Sequence, residues 1–350
     1  MSKGTQGTAG PRGRPTMADV AARVGVSRAL VSLVFRNERG PSDETRDRVF
    51  AAARELGYRP DSAAQLLARS RSKVLGVMMT VRNPFHADLV EGIYPVAEEL
   101  GYDILLAAAV PTRDERAAVE ALLSHRCEGL ILLGPNLDAD YVADLGRRVP
   151  AVVVGRSVAG AGVDTVHTAE ARGAREVVDY LVELGHTEIA HIDGGNRPGS
   201  AERRKAYRAA LRRHGLETAA RVLPGDQTEE SGAQVAEALL ADRAGMPTAV
   251  FASNDRCAVG FLDAMNRAGV PVPDEVSVAG FDDSRLAQLS HIDLTTVAQA
   301  PDRQADLAVR AVVTRLENPD HAPADHVVQP KLIVRGTTTR PRASRTDLGG

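Results

Sequence analysis

From Val74 onward the chain alternates short apolar runs with amphipathic segments, and the cycle runs twice. Few folds accept that pattern. Runs of four to six apolar residues read as buried strands, and strands joined through helices lie parallel in a doubly wound α/β sheet covered on both faces. The expected strands are 74–79, 104–106, 129–133 and 151–154, then 189–192, 249–252 and 276–280. Two such arrays make two lobes. The strand-like segments 294–297 and 331–334 follow the second array, so the chain should cross back between the lobes. After the first strand, Leu89, Ile93, Val96 and Leu100 share a helical stripe that Gly101 ends. Pro95 inside that helix should kink it or cost about 3 kcal/mol.

Before Val74 the chain has another character. Residues 1–73 hold fourteen Lys/Arg against seven Asp/Glu, a net of +7 in a chain of net −3, which leaves the rest at −10. A cationic head is drawn to a polyanion by counterion release, whereas an anionic body is repelled. Thr16, three residues before Asp19, opens a capping box for a short helix. Gly25 supplies a tight turn, and Ser27 can cap a second helix from Arg28 to about Phe35. Two short helices around such a turn make a helix-turn-helix. Val31, Val34 and Phe35 share its inner face, leaving Arg28, Ala29, Ser32 and Leu33 outside. A third helix, capped by Ser42, runs through Val49, Ala52, Ala53 and Leu56 to Gly57. About 45 residues of this kind close a marginal core.

Several functions are disfavoured. At 350 residues, with 43% hydrophobic and 25% charged, the composition is that of a soluble protein of two or three domains. No apolar run approaches the ~20 residues that cross a bilayer, and the basic N-terminus lacks the apolar region of a secretory signal. A cytoplasmic, nucleoid-associated location is expected, with no membrane partner. Cys127 and Cys257 lie far apart without zinc-ligand spacing, so neither a metal nor a disulfide framework is expected. His86, His167, His186, His191 and His214 are dispersed, and neither GxSxG nor HExxH occurs. The glycine-rich turn Asp193–Ser200 is not a nucleotide-hydrolysing loop. No enzyme and no cofactor is expected.

The segments Met17-Ala18-Asp19-Val20-Ala21, Gly25-Val26-Ser27, Val31-Ser32, Ser42-Asp43-Glu44-Thr45-Arg46 and Leu56-Gly57-Tyr58-Arg59-Pro60, in that order, resemble the headpiece of the lac-repressor (LacI/GalR) family of bacterial transcription regulators. The resemblance implies a tail at 1–14, a DNA-binding headpiece at 15–60 and a hinge at 61–73. It further implies a two-lobed core of the periplasmic-binding-protein type at 74–340, followed by a tail at 341–350. The first lobe would take about 74–168 and 300–326, the second about 169–299 and 327–340.

By the same resemblance the second helix enters the major groove. There Arg28 forks onto guanine N7 and O6, Ala29 meets a thymine methyl, and Ser32 bonds phosphate. The next position is usually Arg in the family and is Leu33 here, so the operator sequence cannot be borrowed from relatives. Asn37, Ser42 and Thr45 would position the duplex backbone, with Thr16, Ser27 and Tyr58 beside them. Ala64 and Leu67 would act in the hinge, which folds on DNA, with Leu67 as a minor-groove wedge.

The effector pocket would draw on Phe85, His86, Arg156 and Arg197 together with Arg203, Asn254, Asp282 and Gln299. That inventory suits a sugar-like polyol, and the arginines also suit a nucleobase or a phosphorylated effector. The implied partners are a palindromic double-stranded operator, a small-molecule effector and a second copy of the chain, and the implied role is that of a repressor. Nothing after Val334 shows a leucine heptad, so no coiled-coil tetramer is expected. Two rival readings remain. A solute-binding protein of the same fold would carry an export signal and no helix-turn-helix. A DNA-binding protein without an effector would show no ligand-dependent melting shift.

Overall fold

The computed structural model describes residues 15–35, 38–58, 71–158 and 160–342. They form two compact units dividing between Ser72 and Lys73. Asn37, the hinge residues Ala64 and Leu67, and the tails 1–14 and 343–350 lie outside the described residues.

The smaller unit holds α1 (Met17–Val24), α2 (Arg28–Phe35) and α3 (Asp43–Leu56). Its helix ends follow local chemistry. The Thr16 backbone N–H donates to Asp19 Oδ2 at 2.7 Å while Thr16 Oγ1 accepts from the Asp19 N–H at 3.4 Å, completing the capping box. Gly25, at φ +76°, stops α1 in the left-handed region that costs glycine least. Val20, Val24, Val31, Val34 and Val49 form the core with Ala21, Ala52 and Ala53. Phe35 is half-buried, its ring centroid 5.7 Å from Phe50 and 5.5 Å from Tyr58.

In the larger unit β1 (Val74–Thr80), β2 (Asp103–Ala109), β3 (Gly129–Leu133), β4 (Ala151–Val154), β5 (Asp164–Thr168) and β11 (Asp325–Val328) form one parallel sheet of order β11-β5-β4-β3-β1-β2. Its side chains alternate between two cores. Leu75, Val77 and Ile131 face α4 (Pro84–Glu99) and α11 (Pro301–Glu317). Met78, Leu130 and Leu132 face α5 (Glu115–Ser124) and α6 (Ala139–Arg148). The helix α4 runs unbroken through Pro95. Pro95 is exposed, so water can serve the carbonyl that loses its intrahelical donor.

The second sheet has the order β7-β6-β8-β9, from β6 (Ile189–Ile192), β7 (Arg221–Leu223), β8 (Ala249–Ala252) and β9 (Ser277–Ala279). It is packed by α7 (Glu170–Glu183) and α8 (Ser200–Arg213) on one face and by α9 (Glu229–Ala241) and α10 (Asp255–Arg267) on the other. A two-stranded ribbon of β10 (Thr296–Ala298) and β12 (Lys331–Ile333) completes this lobe. The chain crosses between lobes after Thr168, before Pro301 and after Val328. Because β11 pairs wholly with β5, the last crossing falls past the expected limit at 326. The strands β5, β7 and β11 are short and partly polar and carry no strong strand signal in the sequence. Among the described residues no helix is long and apolar enough to cross a membrane, and no group of three His, Cys, Asp or Glu side chains could hold a metal.

Candidate functional site

Two polar surfaces emerge, one on each unit. On the smaller unit the N-terminus of α2 is open: Ser27 Oγ accepts from the Leu30 N–H at 3.2 Å, and Arg28 and Ala29 are exposed beside it. Ser42 Oγ accepts from the Thr45 N–H at 3.3 Å and caps α3. Thr16, Ser27 and Ser42 therefore already satisfy helix ends, where the aligned peptide dipoles favour an anion such as phosphate. Ser32 and Leu33, expected to face outward, are half-buried, while Val31 and Val34 of the same helix enter the core. The Tyr58 ring packs on Phe35.

On the larger unit the carboxyl ends of both sheets face a cleft of about 430 Å³ between the lobes. Its wall includes the buried Arg203, whose Nε donates to Glu170 Oε2 at 2.6 Å and whose guanidinium lies 3.8 Å from the centre of the Phe281 ring. Burial opposes the charge on Arg203, and the Glu170 carboxylate holds it protonated. Beside this pair sits Asp282, only 8% exposed. Gln299 Nε2 donates to Asp282 Oδ1 at 2.6 Å, and Gln299 Oε1 accepts from Thr168 Oγ1 at 2.8 Å. Burial pushes the Asp282 carboxyl well above the usual range; Arg203 pulls it down and Asp255 pushes it up. Asp255, fully buried, is raised by burial to about 7 and is held by the Ser284 N–H at 2.7 Å.

Asn254 caps α10 through Oδ1, which accepts from the Cys257 N–H at 3.0 Å and leaves its amide N–H groups for the cleft. His86 Nδ1 accepts from the Thr80 N–H at 3.0 Å, so in the neutral ring Nε2 carries the proton. Burial depresses His86 to about 4. At the far edge of the cleft Arg197 grips Asp226 at 2.9 and 3.2 Å, and Glu115 accepts from the Asn136 N–H at 2.9 Å.

Seven of the eight expected pocket residues thus line one cavity: Phe85, His86, Arg197, Arg203, Asn254, Asp282 and Gln299. Arg156 does not. Gly155, at φ +93°, turns the chain there, and the Arg156 guanidinium donates to the Leu137 carbonyl instead. Sequence reasoning missed Glu170, whose partner lies 33 residues away on another helix. A carboxylate in the first turn after a crossing was the one signal for it. Behind Asp282 the lobes are tied by Arg285, which pairs with Glu91 and lies 3.3 Å from Asp88. Asp282, Asp283 and Ala300, at this junction, have φ of +128°, +53° and +50°.

The family model for bacterial regulatory proteins, lacI family, matches residues 16–61, and that for a periplasmic binding protein-like domain matches residues 178–338. The HTH-type transcriptional repressor CytR of Escherichia coli (strain K12) is 32% identical over 328 residues, covering 92% of this chain and 96% of CytR. A crystal structure of a LacI transcriptional regulator from a Rhodococcus species shares 44% identity over 76% of this chain and 98% of its own, with a TM-score of 0.73. The lac repressor dimer bound to operator and the anti-inducer ONPF shares 27% identity over 93% of this chain and 100% of its own, with a TM-score of 0.80.

Proposed function

Because the chain belongs to the lacI family of bacterial regulatory proteins, we infer that it is a transcriptional repressor that binds a palindromic operator as a dimer and is controlled by a small molecule in the inter-lobe cleft. One observation carries this reading: a single chain joins a helix-turn-helix with an open recognition-helix terminus to a preformed cleft of about 430 Å³ lined by buried polar groups. Neither a solute-binding protein nor a simple DNA-binding protein needs both. The protein is read as cytoplasmic and non-catalytic, in line with the transcriptional regulators it resembles.

Arg28 has no partner among the described residues and is free to fork onto a guanine in the major groove, while Ala29 packs on a neighbouring thymine methyl. Ser32 and the capping groups Thr16, Ser27, Ser42 and Thr45 bond phosphates and set the register. Leu67 is assigned the wedge in the minor groove and Ala64 a contact beside it. In the cleft, Asp282 accepts hydroxyl protons while Asn254 and Arg203 donate, the pairing that vicinal hydroxyls require. The exposed Tyr94 of α4 and the exposed Leu106 of β2, with Val110 just beyond, offer an apolar face to a second copy.

The effector acts by preferring one angle between the lobes, and so one separation of the two hinges. DNA and effector affinities are then reciprocally coupled. Genomic footprinting with the purified protein, followed by a thermal-shift screen of metabolites, tests the reading. It predicts protected sites with two-fold symmetry and at least one ligand that both raises the melting temperature and changes operator affinity. Uniform binding to random duplex in moderate salt would overturn it.

A further inference from the structure

The helix that reads bases has little to read with. α2 carries one basic side chain, Arg28, and its other outward positions are Ala29, Ser32 and Leu33, of which the last two are half-buried. One forked arginine and one methyl contact specify about two base pairs per half-site, a thin basis for finding one site among a genome of competitors. Ahead of α1, however, the sequence reads Pro11-Arg12-Gly13-Arg14-Pro15, and residues 1–15 hold three Lys/Arg and no Asp or Glu.

That sequence has the chemistry of a minor-groove arm. Residues two apart in an extended chain point the same way, and a glycine between two arginines has no side chain to hold the backbone off a groove floor. A proline lacks the N–H that a helix or sheet ladder uses and disfavours helical backbone at the residue before it. At the described end of the segment Pro15 and Thr16 are exposed, and Thr16 is extended at φ −109°, ψ 164° before α1 begins. The first helix of a helix-turn-helix crosses the DNA backbone, and the N-terminus of α1 favours a phosphate at that crossing. Four residues separate Arg12 from Thr16, about 13 Å of extended chain, which is enough to pass one strand and enter a groove about 6 Å wide. Arginine is the cation suited to that groove. An A·T-rich minor groove is narrow and strongly negative, and a guanidinium is more weakly hydrated than an ammonium. A G·C pair places the guanine 2-amino group on the floor instead.

We propose that Arg12, Gly13 and Arg14 form an arm that enters the minor groove of an A·T-rich stretch flanking each half-site, outside the central groove assigned to Leu67. This rests on the headpiece binding duplex DNA. The full-length protein would first select an operator from a random duplex library. Its affinity would then be measured for that operator with A·T flanks, G·C flanks, and inosine·C flanks, which keep the major-groove edge of G·C but lack the 2-amino group. The wild-type protein should bind the A·T and inosine·C forms within about twofold of each other and the G·C form about tenfold more weakly. The flank preference should vanish in Arg12→Ala/Arg14→Ala, and also in Arg12→Lys/Arg14→Lys, which keeps the charge. Preference at the base pair read by Arg28 should be unchanged in both. Indifference of the wild-type protein to its flanks, inosine·C behaving as G·C, or a flank preference that survives Arg12→Ala/Arg14→Ala would overturn the arm while leaving the operator reading in place. Failure to select any operator would overturn that reading, and the arm with it.

Discussion

On the first lobe's side of the cleft a ligand meets Phe85, Leu89 and an imidazole that burial keeps uncharged. On the second lobe's side it meets a guanidinium and two carboxylates, all less than 9% exposed. Among the buried residues, the first wall supplies shape and the second supplies charge. Buried charge is stable only when paired, so the second wall is organised before any ligand arrives. Affinity should therefore originate in the second lobe, with the first closing over a ligand already oriented.

If the second wall is held by its ion pair, Glu170→Gln should be the most damaging single change. It strands Arg203 without its carboxylate and should cost roughly 3 to 5 kcal/mol in urea unfolding; a loss below ~1 kcal/mol would mean that the pair organises nothing. Asp282→Asn should weaken effector binding by about tenfold, the worth of one hydrogen bond made by a neutral carboxyl, and leave stability at pH 7 unchanged or slightly higher, since burial already disfavours its ionised form. Phe85→Leu, across the cleft, should cost binding only a few-fold. On the smaller unit Arg28→Ala should relax preference at one base pair per half-site by about 1 to 3 kcal/mol, read by competition among operator variants.

The lobes should also answer pH with opposite sign. His86, depressed to about 4 from 6.5, adds stability that is present above pH 6.5 and lost as pH falls toward 4. Asp255, raised from 3.8 to about 7, adds stability that is present below pH 3.8 and lost as pH rises toward 7. Urea midpoints measured from pH 4 to 8 should show His86→Gln losing less on acidification and Asp255→Asn losing less on alkalinisation. Unchanged slopes would remove the distinction. The smallest effect belongs to Arg285→Ala: its side chain is 70% exposed, so unfolding should change by less than about 1 kcal/mol.

What could be read from sequence was what neighbours in sequence decide. Thr16 with Asp19, Gly25 and Ser42 announce helix ends within three or four residues, and they stand there in the structure. Runs such as Gly129–Leu133 have every side chain buried and so show plainly. The segments Asp164–Thr168 and Asp325–Val328 mix polar and apolar residues, and Arg221–Leu223 is only three residues at a sheet edge, so none carries a strong local signal. Most pocket residues were legible because loops beyond parallel strands face ligand. Arg156 was misplaced because a left-handed glycine before it decides where its side chain goes, and Glu170 was missed because its role exists only once α8 packs on α7.

The three passages of backbone between the lobes mean that neither lobe is a contiguous stretch of gene. A protein stopped at Ala300 would keep most of the first sheet but lose α11, whose Ala305 sits against Gly92 so closely that a Cβ there would lie 2.8 Å away. Leu75, Ile93 and Ile131 would then lose the cover that α11 gives them. Premature termination therefore yields an open, adhesive half-core rather than a smaller working sensor, and either lobe could be made alone only by splicing its separated segments with new linkers.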